Sequence, residues 1–249
     1  MELLELVLEL ELLTEQESWV TLMQMSQSCA QESPLYEMNE AGRLLNISPR
    51  TIHRWYEGFE VVKRGSVIRY PAWMHQPQDG ILSFWDLIEL WFVKRFQNHK
   101  VPLHIIRSTY RIMGDKLKSK HPFLRKNEWL IVGRSILAAN LADDPEAIIE
   151  PATGQLYLDK IALEVGKSIE FDPDNFVRRW FPLGSDRPLV VDPEMNHGFP
   201  AVPGRRISSK HIYQLWGAEN KDSEVVKSAF NISQSEFEAA IEWERLIRN

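Results

Sequence analysis

The chain has 249 residues, of which 44% are hydrophobic and 26% are charged, as is ordinary for a globular protein with room for two modest domains. Its single cysteine, Cys29, excludes an internal disulfide, and no apolar run is long enough to span a bilayer. No basic segment of a secretory signal precedes the first apolar run, so we expect a cytoplasmic protein.

The net charge of −6 argues against indiscriminate binding of nucleic acid, but the charge is unevenly distributed. Residues 1–33 carry seven Glu and no Lys or Arg, whereas residues 91–126 carry ten Lys or Arg and the single acid Asp115. Residues 207–249 are again acidic, with seven acids against five bases. A basic middle between acidic ends predicts that DNA and a protein partner use different regions.

The first 33 residues carry no clear structural pattern. A short amphipathic helix over Leu3–Leu13 fits the sequence, but no Gly, Pro or capping residue marks its ends. We interpret 1–33 as a leader that is either disordered or a wrongly assigned start.

Residues 44–55 predict a helix-turn-helix. A helix ends at Leu45, Asn46 and Ile47 make the turn, and Ser48 and Pro49 suit the cap and first position of the next helix. Ile52 and Trp55 share the inner face of that helix. The residues that we expect to contact DNA from it are Ser48, Arg50, Thr51, His53 and Arg54. The alternative is a helical corner with a solvated basic face.

A β-hairpin is predicted directly after this helix. Val61-Val62 and residues 67–70 are of strand type, and Lys63-Arg64-Gly65-Ser66 is a basic turn between them. Such a hairpin would form a wing whose Lys63, Arg64 and Arg69 contact the DNA backbone without reading its sequence.

Two longer helices follow. Ser83 and Asp86 form a capping box, after which Leu87, Ile88, Trp91, Phe92 and Phe96 recur at helical spacing until residues 98–102 end the helix. A second helix is predicted over Leu103–Leu117, with Ile106, Tyr110 and Met113 inside. We expect the aromatic residues of this pair in the core rather than as stacking platforms.

The stretch from Trp129 to Phe181 predicts a small antiparallel sheet. Residues 129–132, 155–158 and 168–171 are of strand type, and turn sequences lie at 143–145, 152–154 and 172–174. The acidic turns could hold a cation, but carboxylates in turns are usually just solvated.

The C-terminal part predicts three helices. Ser208 or Ser209 caps the first, which ends before Gly217; Asp222 caps the second, and Ser233 with Glu236 forms a capping box on the third. The Asn-Ile-Ser turn at 231–233 repeats that at 46–48, which predicts a second helix-turn-helix. Its last helix presents Glu236, Glu238, Glu242 and Glu244, which phosphates would repel.

Two stretches resemble known families. Residues 36–113, with the helix-turn-helix, the hairpin and the helix pair around Val101-Pro102-Leu103, are similar to the DNA-binding part of MerR-type regulators. Residues 189–243 resemble domain of unknown function family 433, through Asp192-Pro193, the segment 198–208 and the module over 230–243. The combination, with His121-Pro122-Phe123, resembles the VapB-type antitoxins that carry that domain.

The resemblance implies a type II antitoxin that neutralises a PIN-domain ribonuclease and represses its own operon as a homodimer. Arg205 stands where that family has Thr, Ser208 where it has Pro, and residues 218–222 lengthen a loop. The contact residues that we predict for the toxin, or for a dimer, are Arg206, Glu236, Glu238 and Glu242. Arg206 would tie the proline-stiffened segment to a carboxylate or a helix end.

An enzyme is not expected. The seven His are scattered, and no zinc-binding spacing, phosphate-binding glycine loop or nucleophile turn is present. We therefore expect no cofactor and no metal, and a lone Cys29 would hold a metal poorly. The alternative function is a free-standing MerR-like regulator that responds to a small ligand, but His121-Pro122 interrupts the long dimerisation helix such regulators carry.

The predicted fold is mainly α with a small antiparallel β region. It comprises a MerR-like winged helix-turn-helix domain over 34–120, a β-rich linking region over 121–188, and a C-terminal helix-turn-helix-like (homeodomain-like) module over 189–249.

Overall fold

A computed structural model of the chain describes residues 30–126 and 162–248. The helices with assigned bounds are α1 (Met38–Leu45), α2 (Pro49–Glu57), α3 (Phe84–Asn98), α4 (Leu103–Leu117), α5 (Ser209–Ala218), α6 (Ser223–Phe230) and α7 (Gln234–Leu246). The strands are β1 (Pro34–Tyr36), β2 (Phe59–Lys63), β3 (Ser66–Tyr70), β4 (Leu82–Ser83), β5 (Ile169–Phe171) and β6 (Val177–Trp180). A helical segment also covers residues 162–168, and single 3-10 turns lie at Gln78–Gly80 and Asn196–Gly198.

Over the described residues the chain is mainly helical, with three two-stranded antiparallel sheets that pair β1 with β4, β2 with β3 and β5 with β6. The prediction of a mainly α chain with a small antiparallel β component is therefore confirmed. The predictions for Cys29, for a helix over Leu3–Leu13, for strands at 129–132 and 155–158, and for the turns at 143–145 and 152–154 lie outside the described residues.

The turn between α1 and α2 follows from three residues. Asn46 adopts the left-handed conformation with φ 50°, and the Ile47 N–H donates to the Gly42 carbonyl at 2.8 Å. Gly42 is needed there because a Cβ atom would lie 2.6 Å from the Ile47 carbonyl oxygen. α1 ends at Leu45 and Pro49 begins α2, as predicted. Ser48 occupies the N-cap position, but its side chain makes no capping hydrogen bond, so the expected cap is only positional.

The hairpin of β2 and β3 closes through a two-residue turn. Arg64 and Gly65 have φ values of 52° and 83°, which is the backbone that a type I′ turn requires. The strands are longer than the sequence predicted because Lys63 and Ser66 pair with each other across the ladder.

Helices α3 and α4 form the centre of the core. Ser83 and Asp86 make the predicted reciprocal capping box at the start of α3, whose bounds and those of α4 match the prediction. Ile106, Tyr110 and Met113 are buried, as expected of the inner stripe of α4. The aromatic residues of α3 are core residues, as predicted; they are Phe84, Trp85, Trp91, Phe92 and Phe96.

Strands β5 and β6 form a hairpin around the predicted turn at 172–174. The Asp172 carboxylate accepts from the Phe176 N–H at 2.8 Å, so this acidic turn satisfies its own backbone. The sequence did not predict β6. Trp180 in β6 exchanges backbone hydrogen bonds with Val191, which joins the hairpin to the C-terminal part of the chain.

The C-terminal helices carry the predicted caps at Ser208, Asp222 and Ser233. The turn before α7 repeats the turn before α2: Asn231 has φ 50°, and the Ile232 N–H donates to the Lys227 carbonyl at 3.0 Å. The predicted end of α5 before Gly217 is wrong. The helix continues through Ala218 because Asn220 and Lys221, with φ 50° and 67°, supply the left-handed residues that reverse the chain.

Two hydrophobic clusters hold the described chain together. The larger one runs from Tyr36 to Val191 and includes Ala239 and Trp243 of α7, and the rings of Trp180 and Trp243 meet edge to face at 5.8 Å. The smaller cluster lies within the C-terminal helices around Ile212 and Phe237. α7 thus contributes to both cores, so the C-terminal helices pack onto the rest of the chain.

Candidate nucleic-acid interface

Helix α2 presents its first turn to solvent. Ile52, Trp55 and Tyr56 are buried on its inner face, whereas Ser48 and Arg50 are exposed and Thr51 is partly exposed. The first backbone N–H groups of a helix have no partner within it and carry positive potential. A hydroxyl and a guanidinium beside them form an arrangement suited to phosphate oxygens or base edges.

Two of the predicted contact residues on α2 have intramolecular partners. The Arg54 guanidinium carbon lies 4.6 Å from the centre of the Phe59 ring at the start of β2, an attractive cation–π contact. His53 Nδ1 lies 3.0 Å from Glu57 Oε1, one turn later on the same helix. Arg54 is therefore held in place with its cation still partly exposed, while His53 has a neighbouring carboxylate.

The hairpin of β2 and β3 is exposed along almost its whole length, with only Phe59 partly buried. Lys63 and Arg64 lie at its tip, where both are exposed. Arg69 differs from them, because its Nε lies 2.6 Å from Oε1 of Glu60 on the opposite strand. The hairpin thus offers two cations at its tip and one that is paired at its base.

The segment that follows the hairpin is hydrogen-bonded to the backbone of α2. The Trp55 carbonyl accepts hydrogen bonds from the N–H groups of Trp73 at 3.0 Å and of Met74 at 3.3 Å. The Lys94 ammonium donates to the Asn46 carbonyl in the turn at 3.2 Å. Helix α2, the turn before it and the hairpin after it are therefore held in one arrangement.

The acidic face predicted for α7 is smaller than expected. Glu238 and Glu242 are exposed, and Glu242 lies 2.6 Å from the Arg187 guanidinium. Glu244 is buried instead, since it accepts a 2.7 Å hydrogen bond from the Ser209 hydroxyl at the start of α5 and pairs with Arg248 at 3.1 Å. The prediction that Glu244 faces solvent is therefore wrong. The hydrogen-bond donors around its carboxylate offset the free-energy cost of burying the charge.

Glu236 is bound within the module as well. Burial raises the pKa of this carboxyl, but the Ser233 N–H and hydroxyl and the nearby Arg205 outweigh burial and hold its pKa below 4.5. Arg205 Nε lies 3.5 Å from Glu236, whereas Arg206 is exposed. The sequence suggested that Arg206 pairs with a carboxylate, but in the structure the neighbouring Arg205 makes that ion pair.

A groove of about 610 Å³ opens on the outer side of the C-terminal helices. Its apolar lining comes from Trp216, Phe237, Ile241 and Leu246, and Glu238 and Glu242 are among its polar residues. Leu246 is 54% exposed, although Leu prefers the interior. We call this feature the C-terminal groove; it brings together two of the residues predicted to contact a partner.

Within residues 30–126 and 162–248, no group of three or more His, Cys, Asp or Glu side chains is arranged to hold a metal ion. In the same part of the chain, no helix is both long and apolar enough to cross a membrane.

Sequence reasoning missed the cross-strand pair of Glu60 and Arg69 and the partners of Glu244. The pair of Glu60 and Arg69 could have been predicted, because a two-residue turn at Arg64-Gly65 fixes the register that places residue 60 opposite residue 69. The second depends on how α5 and α7 pack, which no local pattern encodes.

A scan of family models finds no match to the sequence, and no curated protein is significantly similar to it. The crystal structure of Rv2018 from Mycobacterium tuberculosis superposes with a TM-score of 0.59 at 18% sequence identity, covering 84% of this chain and 97% of that one. At this identity the likeness indicates a shared fold.

Proposed function

We propose that this chain is a DNA-binding antitoxin of a type II toxin–antitoxin system. In this role a homodimer binds the operator of its own operon and represses it, and the C-terminal module binds and neutralises a PIN-domain ribonuclease. The observation that carries the DNA-binding half is the exposed first turn of α2, together with the basic tip of the β2–β3 hairpin that follows it.

The DNA-binding half follows the geometry of a MerR-like winged helix-turn-helix. Helix α2 enters the major groove with its N-terminal end, so that Arg50, Thr51 and Arg54 reach base edges or phosphates. Lys63 and Arg64 at the hairpin tip contact the adjacent backbone and position the protein. In a homodimer, two copies of α2 lie in successive major grooves of a palindromic site.

The toxin-binding half is supported by the C-terminal groove. Its apolar residues offer the buried centre that a protein interface requires, and its exposed carboxylates offer a charged rim. A PIN-domain nuclease binds RNA in basic surroundings, and Glu238 is the groove carboxylate that can complement such a partner. Glu242 is paired with Arg187, and Arg245 also lines the groove. The second helix-turn-helix-like unit, α6 and α7, thus serves protein contact rather than DNA.

Operator binding is tested with Arg54→Ala and the DNA upstream of the chain's own operon. Loss of one good base contact costs about 1–3 kcal/mol, so we expect weaker binding, a relaxed sequence preference and a changed footprint. Lys210→Ala is the matched control, since Lys210 is an exposed cation of α5, outside both the helix-turn-helix and the hairpin. Unchanged affinity and footprint for Arg54→Ala would exclude this assignment of α2.

Toxin binding is tested by purifying the tagged chain from its native host and identifying what accompanies it by mass spectrometry. A small PIN-type nuclease in stoichiometric amount is the expected result. Leu246→Glu in the C-terminal groove should then reduce nuclease capture, whereas Val225→Glu, at a 43% exposed residue of α6 outside the groove, should not. A truncation near Val191 would be a poor test, because it removes Trp243 from the larger core.

The second candidate function is a MerR-like regulator that responds to a small ligand. A more enclosed pocket of about 220 Å³ favours it, since Arg43 and Leu44 of α1 line one side and His197 and Glu244 line the other. A ligand there would contact both the predicted DNA-binding part and the C-terminal helices. Recovery of the chain without a nuclease but bound to its own promoter would support this function instead.

A further inference from the structure

A second basic surface lies behind the hairpin. Residues 71–75, which follow β3, form one wall of an open groove of about 800 Å³, and α4 with residues 118–120 forms the other. We call it the α4 groove. None of the residues predicted to contact DNA or toxin lines it.

Arg107 is the central cation of the α4 groove. Its guanidinium carbon lies 5.7 Å from the centre of the Trp73 ring, and its Nε is buried without a hydrogen-bond partner among the described residues. The buried Nε1 of Trp73 has no partner there either. Burial lowers the pKa of Arg107, and no described carboxylate pairs with it. Two N–H donors of residues that line the groove therefore have no acceptor among the described residues.

The charge around Arg107 is strongly positive. Arg111, Lys118 and Lys120 line the same groove and are exposed, and Asp115 is the one acidic residue among the described residues that line it. Clustered cations repel one another unless an anion offsets their charge. An acceptor with several oxygens and more than one negative charge fits this arrangement best.

We propose that the α4 groove is a binding site for a phosphate group, carried either by the DNA backbone or by a free phosphorylated molecule. A guanidinium fork donates two parallel hydrogen bonds to phosphate oxygens, and flexible ammonium groups add charge. The groove wall at residues 71–75 continues directly from β3 and is hydrogen-bonded to α2 through Trp55. A phosphate bound here thus contacts the segment 71–75, which is hydrogen-bonded to the last turn of α2.

The test compares Arg107→Gln with Lys116→Gln. Both variants remove one positive charge from α4, but Lys116 is exposed and does not line the groove. Thermal unfolding is followed with inorganic pyrophosphate and with sodium chloride of equal ionic strength. We expect pyrophosphate to raise the Tm of the unchanged chain and of Lys116→Gln, and Arg107→Gln to lose most of that rise.

A second arm of the test measures operator affinity against salt concentration, and it rests on the proposed function. Loss of one phosphate contact lowers the slope of log K against log salt by about 0.9. That loss in Arg107→Gln alone assigns the site to the DNA backbone, and a pyrophosphate effect alone assigns it to a free phosphorylated molecule. If Arg107→Gln and Lys116→Gln behave alike in both arms, the site does not exist. Failure of the unchanged chain to bind the operator would instead refute the proposed function and leave the pyrophosphate arm decisive.

Discussion

The Tyr36 hydroxyl donates a 2.6 Å hydrogen bond to the carbonyl of Gly198, 162 residues further along the chain. Tyr36 ends β1, just before α1, and Gly198 ends the 3-10 turn ahead of the C-terminal helices. Both residues are buried. The element that leads into the candidate DNA-binding helices is therefore tied to the segment that leads into the candidate partner-binding helices.

We predict that Gly198→Ala destabilises the protein more than Gly204→Ala. Both glycines have φ 70°, but a Cβ at residue 198 would collide with the Tyr36 hydroxyl, whereas residue 204 has open space. The left-handed backbone alone costs about 1–2 kcal/mol, and displacing a buried hydrogen bond adds about 1–3 kcal/mol. Urea unfolding measures both variants; equal losses would mean that the Tyr36 contact contributes nothing.

The two similar turns predict different effects of removing a serine hydroxyl. The Ser233 hydroxyl accepts from the Glu236 N–H, and the Glu236 carboxylate accepts from the Ser233 N–H, whereas the Ser48 side chain makes no capping bond. Ser233→Ala should therefore lower the free energy of unfolding by about 1 kcal/mol, and Ser48→Ala should change it much less. The comparison uses urea unfolding, and a larger loss for Ser48→Ala would contradict the structural difference between the turns. If the proposed function holds, Ser48→Ala should instead weaken operator binding.

Local sequence chemistry predicted the elements that depend on few neighbouring residues. The turns at 46–47 and 231–232, the capping boxes at Ser83 and Ser233 and the start of α2 at Pro49 were all visible, because turn and cap residues act over one helical turn. The same local rules predict the wrong end for α5. Glycine commonly ends a helix, so Gly217 is the expected terminator, but the left-handed residues that end this helix are Asn220 and Lys221.

Partners distant in the chain could not be predicted in this way. The Ser209 hydroxyl that donates to the buried Glu244 belongs to another helix, and Trp73 and Arg107 meet only because the segment 71–75 after the hairpin packs against α4. Which charged residues stay exposed is decided by tertiary packing. The sequence therefore predicted the capping box of Glu236, but not its pairing with Arg205 or the burial of Glu244 against Ser209.

Glu60→Gln should strengthen operator binding, given the proposed function. The change keeps the size of the side chain but removes the carboxylate that holds Arg69 at 2.6 Å. Arg69 can then contact a phosphate, so the slope of log K against log salt should steepen by about 0.9. Glu224→Gln is the control, since it removes the same charge from an exposed carboxylate that pairs with Lys227 on α6. Identical behaviour of the two variants would show that only net charge matters.

The pair of Glu89 and His121 should make stability depend on pH. The Glu89 carboxylate is buried in α3, accepts from the Phe123 N–H at 3.1 Å and lies 3.7 Å from His121 Nδ1. Burial raises the pKa of Glu89 above 4.5, and although His121 and the Phe123 N–H oppose that rise, burial prevails. Burial lowers the pKa of His121, but the Glu89 carboxylate outweighs it and leaves that pKa above 6.5.

Both groups thus hold their protons more tightly in the folded chain than in the unfolded one. The stabilising contribution of Glu89 is full below pH 4.5, and that of His121 is full below pH 6.5. Each contribution is lost as the pH rises through the pKa of the group in the folded chain. Glu89→Gln keeps an acceptor for Phe123 and cannot ionise, so its stability relative to the unchanged chain should improve as the pH rises from 4.5 to above 6.5. Urea unfolding across this range measures the trend, with Glu238→Gln as the control at an exposed carboxylate. A constant difference between Glu89→Gln and the unchanged chain would show that the buried carboxyl does not titrate between these limits.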